Sequence, residues 1–181
     1  IVFNTSIRHE AMLSNPITLL SRSKPKARKV KWTEAQVKTF LDTAYSNWEW
    51  RSIGLIVHMA YEWAQRVGDM RLLTWNNLDL DEQRLDLEQS KRRADVHLPI
   101  SDALCKMLVQ QHTDFGFQPY VAPRPEPYNG AYTSYHSTDI HKLVNEVKDS
   151  AGLPKELTAL DLRRTGITEM VEAGVDTLGI M

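Results

Sequence analysis

Residues 51–63, RSIGLIVHMAYEW, limit what this chain can fold into more than any other stretch. Ile53, Leu55, Ile56, Val57, Met59 and Ala60 make a helix here so apolar that the rest of the chain must bury it. The stretch is too short for a bilayer, and no other apolar run in the sequence approaches the length of a membrane span. A chain of 181 residues, 42% hydrophobic and 25% charged, can supply that cover as one full domain with a piece of another. It needs neither disulfide nor metal to do so. Its single cysteine, Cys105, excludes an internal disulfide and fits a reducing compartment. The opening Ile1–Thr5 lacks both the layout of a signal peptide and an initiator methionine, so the chain is expected to be a piece of a longer one.

Periodicity places the other elements around this helix. Residues 1–13 read as the end of a helix stopped at Asn15-Pro16. Thr33 and Gln36 form a capping box for a helix with Val37, Phe40, Leu41 and Ala44 on one face. The buried helix is expected from about Arg51 to Trp63. Another helical turn or two follows from Gln65 to Trp75, broken by Asn76-Asn77. Residues 84–89 and 95–100 alternate with period two around a charged turn, which predicts a hairpin. Ser101, Ser137 and Thr158 each open a further helix, and Gly174 closes the last. The Gly-, Pro- and Tyr-rich residues 114–135 read as loop. The fold class is therefore mainly α with a small antiparallel β-sheet (α+β).

The net charge of −1 hides an uneven distribution. Residues 22–31 contain Arg22, Lys24, Lys26, Arg28, Lys29 and Lys31 and no acid; outside them, 16 basic residues face 23 acidic ones. Such a strap can hold a phosphate backbone, or it can be a solvated linker. Three further cations stand out by placement: Arg66, directly after the buried helix; Lys91, at the hairpin turn beside Arg92 and Arg93; and Arg163, one turn into a capped helix. Asp69 follows Arg66 by three residues and can brace its guanidinium; from spacing alone, an internal Arg66–Asp69 ion pair explains both residues. His136 and His141, five apart, are a poor helical pair and read as loop and surface histidines.

These cations sit in recognisable segments. Ala64-Gln65-Arg66-Val67-Gly68-Asp69-Met70, continued by Leu72-Leu73-Thr74-Trp75-Asn76-Asn77-Leu78-Asp79, resembles the first arginine box of the tyrosine recombinases (phage-type integrases). Asp161-Leu162-Arg163-Arg164-Thr165 resembles their second, and Gln89-Ser90-Lys91…Leu98-Pro99-Ile100 the hairpin that carries their active-site lysine. The order matches, with 97 positions from Arg66 to Arg163 and the hairpin between.

The resemblance implies residues 1–20 as the tail of a core-binding domain, 21–31 as a basic linker and 32–181 as a catalytic domain. It implies DNA cleavage by tyrosine attack on a phosphodiester, giving a 3′-phosphotyrosyl link. Arg66 and Arg163 would bind the scissile phosphate and Lys91 would be the general acid, with Asp69, Leu160 and Arg164 in supporting places. Arg22, Lys24, Lys26, Arg28, Lys29, Lys31, Arg92 and Arg93 would contact DNA. No metal or cofactor is implied. The partners would be double-stranded DNA, further copies in a tetramer on paired sites, and DNA-bending proteins. The setting would be the cytoplasm of a bacterium, at the nucleoid.

Two departures qualify this. The family's second box begins with a histidine, where this chain has Leu160. After Arg163 there is no His, Trp or Tyr; the tyrosines, at 45, 61, 120, 128, 132 and 135, all come earlier. The family's third box and nucleophile are therefore expected beyond Met181, and cleavage is expected to be slowed by Leu160. A DNA-binding relic that no longer cuts and a type IB topoisomerase-like enzyme are the alternatives. The short hairpin and the Gln-Arg-Val-Gly-Asp pattern favour a recombinase over the topoisomerase.

Overall fold

The computed structural model describes residues 29–88 and 95–174, with Leu13 besides. The expectations for residues 1–12, for Arg22, Lys24, Lys26 and Arg28, and for Lys91, Arg92 and Arg93 lie outside the described residues.

The apolar stretch forms the centre of the domain. Helix α1 (Glu34–Tyr45) starts at the Thr33–Gln36 capping box. Helix α2 (Trp48–Glu62) begins three residues before the expected Arg51, because the Asn47 side chain accepts a hydrogen bond from the Glu49 N–H and caps it there. From Ser52 to Ala60, α2 is buried at every position but His58. It touches α3 (Val67–Met70), α4 (Asp102–Phe115), α5 (Ser137–Ser150) and α6 (Ala159–Glu172) as well as α1. Gly166 sets the closeness of the α2–α6 packing, since a Cβ there would collide with the Tyr61 carbonyl oxygen.

After Met70 the helical pattern gives way to tertiary pairing. The Leu73 carbonyl accepts from Val121 N–H and the Trp75 N–H donates to the Pro119 carbonyl, so this backbone pairs with the 119–121 loop instead of continuing the helix. The Asn76-Asn77 pair lies inside a 3-10 turn (Trp75–Asn77), where Asn77 Oδ1 accepts from Thr74 N–H at 3.1 Å and from its hydroxyl at 2.8 Å. A short strand β1 (Leu78–Asp79) then joins the hairpin of β2 (Arg84–Glu88) and β3 (Asp95–Pro99) in an antiparallel sheet ordered β1-β2-β3. The register pairs Leu78 with Leu85 and Leu85 with Leu98.

The remaining caps tie the helices to one another. Ser101 caps α4 and donates from its N–H and hydroxyl to the Glu62 carboxylate at 2.8 and 2.7 Å, fastening the end of α2 to the start of α4. His136, one residue before the expected Ser137, caps α5. Thr158 and Asp161 form a capping box on α6. Trp32 anchors the chain entering the domain: its backbone N–H donates to Thr165 Oγ1 and its indole N–H to the Thr158 carbonyl, both at 3.0 Å.

Candidate active site

Three chain segments meet at a cleft of about 560 Å³. Gln65, Arg66, Asp69, Arg71 and Leu72 form one wall; Ala159, Leu160 and Arg163, from the first turns of α6, form a second; Ser137, Ile140 and His141, from the first turns of α5, form the third. Arg66 and Arg163, 97 positions apart, thus border the same space.

Arg66 reaches the cleft through an abrupt turn. Trp63, the C-cap of α2, fixes its indole N–H on the Pro99 carbonyl at 2.9 Å. Ala64 then takes φ +49°, the left-handed region in which a Cβ is crowded. Gln65, buried, donates to the Trp63 carbonyl at 3.0 Å. Arg66 itself is the extended N-cap of α3, and its carbonyl accepts from Asp69 and Met70. The Asp69 carboxylate, only 7% exposed, lies 3.6 Å from Arg66 Nη1, and the arginine side chain is 30% exposed. The ion pair inferred from spacing is therefore present, and Arg66 borders the cleft all the same. Nη1 is buried on the Asp69 side, and the exposed part of the guanidinium is what borders the cleft.

Arg163 comes from regular helix. Thr158 N–H and hydroxyl bind the buried Asp161 carboxylate at 3.1 and 2.7 Å, which sets the first turn of α6 and places Leu160 and Arg163 on the cleft side. Leu160 is 72% exposed there. Arg164 does not line the cleft; it faces the chain entry, donating to the Val30 carbonyl at 3.4 Å and pairing with Asp161 at 3.6 Å. Lys29 and Lys31 are exposed and also stand apart from the cleft, Lys31 lying 3.8 Å from Glu172.

Sequence reasoning missed three residues of consequence. Arg71 is a third guanidinium on the cleft, held by a 2.8 Å bond from Nη1 to the Tyr135 carbonyl. His141, read from sequence as a surface histidine, is exposed as expected but also lines the cleft. Lys148 is 2% exposed, with Nζ donating to the carbonyls of Lys155 at 3.2 Å and Leu157 at 2.5 Å. It fastens the end of α5 to the loop that leads into α6. A usable signal existed for His141, since it follows Ser137 by four residues on one helix face. None existed for the two bonds from Lys148, which go to backbone carbonyls.

A mainly helical domain with a small three-stranded antiparallel sheet matches the catalytic-domain folds of solved tyrosine recombinases. Residues 31–181 match the model of the phage integrase family, and the chain belongs to that family. In fold it is similar to XerA recombinase, at 21% identity and TM-score 0.70 over 97% of this chain and 61% of that one. It is also similar to lambda integrase in a dimer bound to a COC′ core site (18%, TM-score 0.72, 98% and 65%). The Tn1549 transposon integrase in complex with circular intermediate DNA is a third match (16%, TM-score 0.70, 98% and 65%). The chain thus spans 61–65% of the length of these structures. No curated protein sequence matches it. Among the described residues no helix is long and apolar enough to cross a membrane.

Proposed function

We propose that this chain is the catalytic domain of a site-specific DNA recombinase that cleaves and rejoins double-stranded DNA through a 3′-phosphotyrosyl intermediate. The observation that carries the reading is the shared cleft of Arg66 and Arg163. Guanidinium forks match the non-bridging oxygens of a phosphodiester and stabilise the charge that develops as phosphorus becomes five-coordinate. Asp69 fixes the orientation of Arg66 from the protein side. A tyrosine hydroxyl gives up its proton to solvent as its oxygen bonds to phosphorus, the bond to the 5′-oxygen breaks, and Lys91 gives that oxygen its proton. The covalent link keeps the bond energy, so the reaction asks for neither metal nor ATP. The basic strap from Arg22 to Lys31, with Arg92 and Arg93, supplies backbone contacts to DNA, and the assembly is a tetramer on paired sites aided by DNA-bending proteins. The domain limits of the sequence reading, with a catalytic domain from residue 32, belong to the same proposal.

The test is covalent protein–DNA complex formation by the full-length protein on a nicked duplex carrying its recombination site. Arg163→Ala is expected to lower the rate by about 10²–10³ or more, the usual consequence of losing one preorganised donor, and to leave DNA binding largely intact. Wild-type cleavage by Arg163→Ala would overturn the assignment. A second reading, a DNA-binding relic, is favoured by one observation: Leu160, exposed on the cleft, cannot donate a hydrogen bond where the family places a histidine. Absence of covalent complex from a wild-type protein that binds its site would select the relic.

A further inference from the structure

We infer that His141 supplies the cleft with the imidazole that position 160 lacks, acting as a hydrogen-bond donor to a non-bridging oxygen of the bound phosphodiester. The inference rests on the recombinase reading and extends it by one residue. Leu160 lines the cleft and is 72% exposed, so the family's histidine position contributes only an apolar side chain there. His141 enters the same space from another helix. Its neighbour Ile140, 2% exposed, packs into the core and fixes the rotation of α5, which leaves position 141 at the cleft. Ser137, one helical turn earlier, lines the cleft as well, so this face of α5 is presented to it over two turns.

The surroundings suit an anion and leave the ring available to it. Among the described residues, Arg66, Arg71 and Arg163 line the cleft against a single lining carboxylate, Asp69, which already faces Arg66 at 3.6 Å. Among the described residues no hydrogen bond or ion pair engages the His141 ring. The other neutral donors on the walls are placed less well: the Gln65 amide is turned back onto the Trp63 carbonyl, and Ser137 sits at the start of α5. His141 is the one imidazole lining this cleft among the described residues. In the proposed step it donates a hydrogen bond and transfers no proton. The tyrosine–phosphorus bond forms, the bond to the 5′-oxygen breaks, and that oxygen still takes its proton from Lys91. One arrangement of arginines plus imidazole is thus reached from α5 instead of from the start of α6.

Rescue across the two helices tests this. On the nicked duplex, in the full-length protein, His141→Ala is expected to slow covalent complex formation by about 10²–10³ with DNA affinity unchanged. Adding Leu160→His to His141→Ala should restore the rate to within about tenfold, which loss of a merely structural residue would not allow. Leu160→His alone should change the wild-type rate little, because the donor is already present. A wild-type rate for His141→Ala, while Arg163→Ala is inactive, overturns the His141 inference and leaves the recombinase reading standing. Wild-type cleavage by Arg163→Ala overturns both. A readout independent of cleavage is the ring 15N–1H correlation of His141 during titration with inorganic phosphate. A saturable shift that is weakened in Arg66→Ala supports the assignment, and a ring that does not respond to phosphate overturns it.

Discussion

On one side of the cleft Arg66 stands outside regular structure, after a residue with φ +49° and at the cap of a four-residue helix, held by a buried carboxylate at 3.6 Å. On the other side Arg163 stands in the second turn of a 14-residue helix whose start is fixed by a capping box. The first wall is built by local strain and one ion pair. The second is built by cooperative helix geometry, with its position set from below by Lys148 and by the close α2–α6 packing at Gly166. Strain orients a single side chain and tolerates little motion. A helix carries several side chains together, so Leu160 and Arg163 move as a unit, and His141 is coupled to them through the loop that Lys148 fastens. The comparison predicts that damage to the second wall spreads through the fold, whereas relief of strain in the first stays local.

The largest effect expected is from Lys148→Met. The substitution keeps the aliphatic volume and removes the donor to the carbonyls of Lys155 and Leu157. The buried Leu157 carbonyl and the part-buried Lys155 carbonyl left without that partner should lower stability by about 1–3 kcal/mol, read as a drop in the denaturant midpoint. Cleavage and phosphate binding should fall with it, because the loop sets where α6 begins. If stability falls and the cleft keeps its affinity for phosphate, the second wall does not depend on this fastening.

Relief of strain in the first wall has a smaller effect, of opposite sign. Ala64→Gly removes the crowded Cβ at φ +49°. The left-handed conformation costs a non-glycine residue about 1–2 kcal/mol, and the greater freedom of glycine in the unfolded chain offsets part of that, leaving a gain of about 0.5–1 kcal/mol. The gain should appear in thermal or denaturant unfolding. In full-length protein the cleavage rate should fall, because the turn that aims Arg66 is looser. A stabilised variant with an unchanged rate would show that the Arg66–Asp69 pair alone holds the guanidinium.

The two walls also differ in how far they could be read from sequence. The second was visible in outline: Thr158 followed by Asp161 is a helix start, and Leu162 on one side with Arg163 on the other follows from helical spacing. The first was visible as a cluster of residues but not as a shape. The helix expected to run to Trp75 ends at Met70, because residues 73–75 pair with the 119–121 loop, a contact with no local signature. Strand β1 and the caps at Asn47 and His136 were missed or displaced for related reasons, each depending on a partner a few residues away that propensity does not weigh. His141 was weighed only against His136, its neighbour in sequence. Its place in the cleft depends on how α5 and α6 each pack on α2 and on the loop that Lys148 fastens between them.

The smallest effect expected concerns the scaffold behind both walls, and it is a pH effect. His58, on α2, lies 2.9 Å through Nδ1 from the Tyr45 hydroxyl and 3.5 Å through Nε2 from the Glu62 carboxylate, which in turn holds Ser101 at the start of α4. Burial pushes its pKa below the ordinary histidine value, and the nearby Glu62 carboxylate opposes that shift only in part. The unfolded chain, with its histidine near pKa 6.5, therefore takes up a proton before the folded protein does. The contribution of His58 to stability is complete above that pH and is lost as pH falls from about 6.5 toward the lower folded value. His58→Gln, which keeps a polar side chain opposite Tyr45, should flatten the fall in thermal midpoint between about pH 7 and 5.5 relative to wild type. The effect should be the same whether unfolding is followed by a probe on α6 or by one near Arg66, since α2 carries both walls. Equal pH slopes for wild type and His58→Gln would show that other groups set the acid limit of the fold. A slope seen at only one probe would mean that the walls are not anchored to α2 as a single unit.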